Sequence, residues 1–184
     1  VFESAGALKA SERRTQPPGM HSRPRKLSVY GQAMQEKQKL KYYYGLSEAS
    51  LRRLFHKARR SRGNTGNALL FLCERRMDNV VREVGCTKTR TQARQGVAHG
   101  HFLRNGRKLD VPSALVRVGD IIDVKRRPNL VALYRGCMEE SVGAVPGWLS
   151  LDVENLRAEV ISLPGVDDIT LPVDIGMVVE LLAR

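Results

Sequence analysis

RMDNVVREVG at 76–85, TRTQARQGVAHG at 89–100, HFLRNGRKLDV at 101–111 and VRVGDIIDVKRR at 116–127 together spell a short basic module. In the first segment Met77, Val80, Val81 and Val84 recur at i, i+3, i+4 and i+7, which predicts a helix with one apolar face that Gly85 can end. The second segment predicts another helix, with Thr89 as N-cap and Gln92 completing a capping box. Ala93 and Val97 give its buried side, while Arg90 and Arg94 share a different side one turn apart. Asn105-Gly106 marks a tight hairpin, because a type I′ turn needs positive φ at both central residues. Pairing across that turn sets Phe102 opposite Leu109 and Arg104 opposite Arg107. The base of the ribbon is then free to pack on the helices while its tip carries two guanidinium groups. A turn at Gly119-Asp120 and a strand from Ile121 to Val124 complete the module.

Charge points the same way. The chain has 31 Lys plus Arg against 19 Asp plus Glu, a net of +12, the balance of a polyanion binder. The excess is segregated. Residues 1–127 hold 28 basic and 10 acidic side chains, whereas residues 128–184 hold 3 basic and 9 acidic. Charge spread only for solubility has no reason to divide so sharply, so the front two-thirds should meet phosphates and the tail should face elsewhere.

A length of 184 residues with 42% hydrophobic content allows one or two small domains with modest cores. No apolar run approaches the ~20 residues that span a bilayer. The opening VFESAGALKASERR has neither the apolar core nor the cleavage site of a signal peptide. Cys73, Cys86 and Cys137 are odd in number and scattered, which argues for a reducing compartment and a cytoplasmic location.

Residues 1–27 show little periodicity, with turn signals at Pro17-Pro18-Gly19 and Pro24, and SRPRK at 22–26 reads as an extended basic arm. Tyr30 to Tyr44 predicts a helix with Gly45 past its end; Lys37 and Lys41 share one of its faces. Ser47 then caps SEASLRRLFHKARR, where Leu51, Leu54, Phe55 and Ala58 form an apolar stripe. Arg52, Arg53, Lys57, Arg59 and Arg60 crowd the remainder, with Glu48 the lone acid. A solvated helix usually mixes signs to gain i,i+4 pairs, so this density of like charge calls for an external neutraliser. GNTG at 63–66 reads as a loop before a third helix that buries Leu69, Leu72 and Cys73. Beyond Arg127, residues 128–147 read as irregular, with a short helix near Leu133 to Glu140. Trp148–Val153 and RAEVISL read as a strand pair, and Asp174 caps a terminal helix with Ile175, Val178, Val179 and Leu182 on one face.

Chemistry is poorly represented. His21, His56, His99 and His101 lack zinc spacing, and no cysteines pair as C-x-x-C. Asp167-Asp168 follows Pro-Gly and reads as part of a turn. GNTG lacks the lysine and the strand-to-helix setting of a phosphate-binding loop. With no nucleophile–base pair, no metal site and no cofactor motif, the chain reads as a binder and not as an enzyme.

The segments PPGMHSRPRK (17–26), YGQAMQEKQKLKYYYG (30–45), GNTGNALLFLCERRMDNVVREVG (63–85), TKTRTQARQGVAHGHFLRNGRKLDVPS (87–113) and VRVGDIIDV (116–124) carry a resemblance. Residues 76–127 look like an S4 RNA-binding domain. Almost the whole chain resembles the bacterial-type ribosomal protein S4 family of the small subunit. The resemblance implies an α+β protein in which the S4-type module is inserted into a helical domain completed by the C-terminal segment. The expected parts are a basic arm at 1–27, a helical domain at 28–75 and the S4 module at 76–127. A connection follows at 128–147, with a hairpin and helix at 148–184 packing back on the helical domain. It also implies direct binding to small-subunit, 16S-type ribosomal RNA at a multi-helix junction, early in assembly. Further implied partners are neighbouring ribosomal proteins and messenger RNA near its entry path, with an influence on decoding accuracy. No membrane and no small-molecule substrate are expected. The alternative is a free-standing S4-domain RNA-binding factor, ribosome-associated or acting in a stress response.

Two RNA-facing surfaces are expected. One comprises Arg76, Lys88, Thr89, Arg90, Arg94 and Gln95, extended along the hairpin by Asn105, Arg107 and Lys108. The other comprises Arg23, Arg25, Lys26, Lys37, Lys41, Arg52 and Arg53. With aromatics at 5%, recognition of folded RNA by backbone and shape is favoured over stacking on single strands.

Overall fold

The structure is a computed structural model that describes residues 26–140, 145–169 and 171–183, together with Lys9, Glu12 and Arg13. The expected arm through Arg25, and with it Arg23 and Arg25, lies outside the described residues. The α+β class holds: among the described residues the chain forms seven helices and one five-stranded antiparallel sheet. The chain divides into two compact units, one up to Leu51 joined by the stretch from Leu171, the other Arg52–Thr170.

In the first unit, α1 (Val29–Tyr43) begins where the Ser28 hydroxyl accepts the Gly31 N–H at 3.2 Å. It ends before Gly45, whose φ of +60° suits a residue without a Cβ. The last helix of the chain packs against it, and the Asp174 N–H donates to Glu36 Oε2 of α1 at 3.0 Å. The Asp174 carboxylate also caps that last helix through the Gly176 and Met177 N–H groups, as expected. Between these segments, α2 (Glu48–Arg59) crosses the division of the chain. Its stripe Leu51, Leu54, Phe55 and Ala58 is buried, and Arg52, Arg53, Lys57, Arg59 and Arg60 are exposed.

The second unit continues with α3 (Thr65–Glu74), α4 (Met77–Glu83) and α5 (Arg90–Ala98). The GNTG segment is a helix start and not wholly a loop, since Asn64 Oδ1 accepts the Gly66 and Asn67 N–H groups. In α3, Leu69 and Cys73 are buried and Leu72 only half-buried. Next come β1 (Phe102–Arg104), β2 (Arg107–Leu109) and β3 (Ile121–Val124). The hairpin register is the expected one, Phe102 with Leu109 and Arg104 with Arg107, with φ of 51° at Asn105 and 76° at Gly106.

Two expectations fail beyond Arg127. Residues 128–140 of the segment read as largely irregular form a continuous helix, α6 (Pro128–Glu140). Pro128 tolerates the first helical position because that N–H has no intrahelical partner. Val131, Tyr134 and Met138 then line its inner side. The hairpin β4 (Leu149–Asp152) and β5 (Arg157–Val160) forms, but it joins the module's sheet and not the helical part. The strand order is β2-β1-β3-β5-β4, and Ile122 lies opposite Ala158. β3 offers a free edge once β1 is paired, and the alternation that buries Ile122 and Val124 matches Ala158 and Val160 on β5. Helix α7 (Ile175–Ala183) packs on α1, with Val178 and Leu182 buried.

One core therefore runs from Met77 to Val160. Val80, Val84, Ala93, Val97, Phe102 and Ile122 share it with Tyr134, Met138, Trp148, Leu149 and Leu156. Tyr134 is its keystone. The ring packs on Phe102 with centroids 5.0 Å apart, and its hydroxyl lies 2.8 Å from His101 Nδ1. Burial, helped by the neighbouring Cys86 and Cys137, pushes the phenol up to about 12, so it stays protonated. Burial, then His99, Arg127 and Lys125, lower the affinity of His101 for a proton, leaving it free to accept. Gly96 makes room for this pair, since a Cβ there would stand 2.6 Å from the Tyr134 hydroxyl.

Two outcomes should follow. Gly96→Ala should destabilise the protein by about 1–3 kcal/mol, the cost of overpacking a well-filled site, as read by urea denaturation. A fragment 76–127 lacks Tyr134, Met138, Trp148, Leu149 and Leu156, each contributing about 1.5–3 kcal/mol by burial. That loss matches the whole stability of a small domain. The fragment should show no cooperative unfolding transition by circular dichroism.

Candidate nucleic-acid interface

The basic side chains of the module fall into two classes according to what holds them. Arg76, expected at the surface, is buried at the start of α4. Its Nε and Nη2 donate to the two oxygens of Asp78 at 3.0 and 2.6 Å. The reason is local. The chain enters α4 from a bridge between Arg76 and Leu115, which carries the guanidinium inward, and only a fork-matched carboxylate offsets its desolvation. Arg90 is likewise committed to the fold. Its Nε donates to Asn79 Oδ1 and its Nη2 to Glu83 Oε1, both at 2.8 Å. Asn79 in turn donates to Glu74 Oε2 at 2.6 Å. Asn105 also serves the fold, donating to Asp120 Oδ1 at 2.9 Å and accepting the Ile121 N–H at 2.8 Å.

The second class projects outward. Lys88, Thr89, Arg94 and Gln95 are exposed around α5. Thr89 Oγ1 accepts the Gln92 N–H at 3.2 Å, and Gln92 Oε1 reaches back to the Lys88 N–H at 3.3 Å, one residue earlier than a capping box requires. Arg94 has Asp78 at 4.0 Å, and Gln95 contacts His99 at 2.7 Å. On the hairpin, Arg107 and Lys108 are exposed, with Lys108 3.2 Å from Asp110. They line an open hollow of about 460 Å³ with Arg104, Asn105 and Leu109. Arg104 does not share the tip as expected, because Asp120 binds it at 2.6 Å. The module face is thus Lys88, Thr89, Arg94, Gln95, Arg107 and Lys108.

On the helical part, Lys26, Arg52 and Arg53 are exposed, but Lys37 is buried. Its Nζ lies 2.8 Å from Glu48 Oε1, and Lys41 lies 3.7 Å from Glu48 Oε2. Glu48 thus gathers two of the expected lysines, and Arg52 and Arg53 of α2 are exposed.

Glu74, Asp78, Asn79, Glu83 and Asp120 were not anticipated, yet they decide which cations are presented. Their sequence signal is rarity, since each acid stands among arginines. Asp120 is the clearest case. Burial pushes its carboxyl up, but the Arg117 N–H, Arg104 and Asn105 outweigh this and hold it below the usual carboxylate range. Cys73 and Cys86 are buried thiols whose burial favours the protonated form, so they are not nucleophiles. Among the described residues no cluster of His, Cys, Asp or Glu is arranged to hold a metal ion. No described helix is long and apolar enough to cross a membrane.

Comparison with known proteins agrees with this geometry. The Ribosomal protein S4/S9 N-terminal domain matches residues 2–74, and the S4 domain matches residues 75–122. The small ribosomal subunit protein uS4 of Rhodopirellula baltica is 56% identical over 184 residues, covering 100% of this chain and 91% of that protein. Proteins of the same name from Persephonella marina and a Sulfurihydrogenibium species are 46% and 42% identical. Each covers 95% of this chain and is itself covered to 88%.

Because the native pKa of Asp120 is depressed, its contribution to stability is present above the unfolded value, about 4, and is lost as pH falls through the native one. Asp120→Asn should lower stability by about 1–3 kcal/mol at pH 7 and flatten the loss between pH 5 and 3. Chemical denaturation of both proteins across that range checks it.

Proposed function

The chain belongs to the small ribosomal subunit protein uS4 family, and on that premise we propose that it is a structural, non-enzymatic constituent of the small ribosomal subunit. It binds 16S-type ribosomal RNA directly, at a junction of several helices, and takes its place early in subunit assembly. It lies beside neighbouring ribosomal proteins and the entry path of messenger RNA, where it influences decoding accuracy. Its location is the ribosome, in the cytoplasm.

One observation carries the reading. Inside a strongly basic module, the carboxylates of Asp78, Glu83 and Asp120 fix Arg76, Arg90 and Arg104, and a separate set of cations is exposed on α5 and the hairpin. Fixed spacing of cations suits the backbone of folded RNA, which is recognised largely by shape, phosphates and 2′-hydroxyls. The exposed arginines of α2 supply a second basic surface, and tethering two weak surfaces in one chain raises the effective concentration of the second once the first is bound. Phosphate contacts from one surface position the protein, whereas a junction that satisfies both is selected over a plain duplex.

Arg94→Ala with Arg107→Ala should weaken binding to small-subunit ribosomal RNA about tenfold or more, with an unchanged circular dichroism spectrum. Arg76→Ala should instead unfold the module, by about 3–5 kcal/mol, because it strands the buried Asp78. Wild-type affinity should fall by orders of magnitude between about 50 and 200 mM salt. Affinity that is flat with salt, or a double variant that binds as the parent does, would falsify the reading.

A further inference from the structure

Arg75, Arg76, Arg90, Arg104 and Arg157 each donate to a carboxylate or a backbone carbonyl inside the protein. Arg126, Arg127 and Arg135 differ. All three are exposed, and among the described residues no carboxylate lies within ion-pair distance of any of them. They are nonetheless gathered. Arg126 and Arg127 close the segment after β3, Arg135 stands two turns along α6, and together they border a groove of about 360 Å³. Its lining has an apolar part that includes Val131 and Leu156, and a polar part that includes Glu154 and Asn155. All three guanidinium-bearing residues border the same groove, and α6 begins at Pro128 with the positive end of its dipole beside Arg126 and Arg127. Glu154 is the one carboxylate in that lining, against three arginines.

We infer that this groove seats one nucleotide of the bound RNA, the three arginines holding its phosphate while the sugar and base cover Val131 and Leu156. The chemistry fits each part. Arginine forks match phosphate oxygens, and a guanidinium plane accepts a stacked base. The volume is that of a small-ligand site and not of a duplex. Glu154 offers an acceptor for a 2′-hydroxyl, and Asn155 offers both donor and acceptor for a base edge. The groove straddles the charge boundary, with Arg126 and Arg127 at the end of the basic part and Arg135, Glu154 and Asn155 in the net-acidic segment that follows. The inference rests on the RNA-binding reading above, and its test separates the two.

In the full chain, Arg126→Ala with Arg135→Ala should weaken binding to small-subunit ribosomal RNA about tenfold and reduce the salt slope by about one. The circular dichroism spectrum should be unchanged. Unaltered affinity and slope, beside a weakened R94A/R107A protein, overturn the groove and leave the module reading intact. An R94A/R107A protein that binds as the parent does overturns the module reading instead. Adenosine 5′-monophosphate should shift the methyl resonances of Val131 and Leu156 in the parent and not in R126A/R135A. Inorganic phosphate alone should leave those methyls in place. Methyls that respond to both probes equally, or to neither, overturn the assignment of a nucleotide.

Discussion

Arg76 and Asp78 meet two residues apart at the head of α4, both out of water, through two hydrogen bonds of 3.0 and 2.6 Å. Removing either partner would leave an uncompensated buried charge, so the pair fixes how the chain enters the module. The consequences spread outward from it. The Met77 N–H is free to bind the Ala114 carbonyl, and the Val116 N–H binds the Arg75 carbonyl. The segment between the hairpin and β3 is thereby tied to the start of α4. Asn79, one residue on, links Glu74 to Arg90 and so sets the position of α5. In a chain of net charge +12, a few carboxylates act as the internal framework on which the cations are sorted.

That sorting explains how a protein this basic keeps a defined surface. Cations paired inside the fold serve stability, and their loss is felt as unfolding. Cations at the surface, such as Arg94 and Arg107, are exposed to solvent. Asp120 shows the same division at the hairpin, where it removes Arg104 from the tip and leaves Arg107 there. Glu48 does so for Lys37 and Lys41.

The core is the other constraint. Helix α6 and the hairpin β4–β5 contribute Tyr134, Met138, Trp148 and Leu156 to the module's interior. A segment whose composition separates it from the basic part is physically inseparable from it. The acidic side chains of Glu154 and Glu159 face solvent while their neighbours Leu156, Ala158 and Val160 fill the core, so net charge reports the surface of a strand and not its partner.

Periodicity and turn chemistry alone determined much of this protein. The apolar spacings of α2, α4, α5 and α7, the Asn105-Gly106 turn and its register were all legible, because they depend on residues close in sequence. The family was legible too, from motifs in α1 and through the module. What only tertiary structure decided was pairing at a distance. No local signal shows that β5 will take the free edge of β3, or that α6 will run unbroken from Pro128 to deliver Tyr134 into the gap at Gly96. Nor does a sequence show which of many arginines is buried. Arg76 and Arg94 have the same chemistry, and the position of Asp78 relative to each, 2.6 Å against 4.0 Å, goes with burial of the one and exposure of the other.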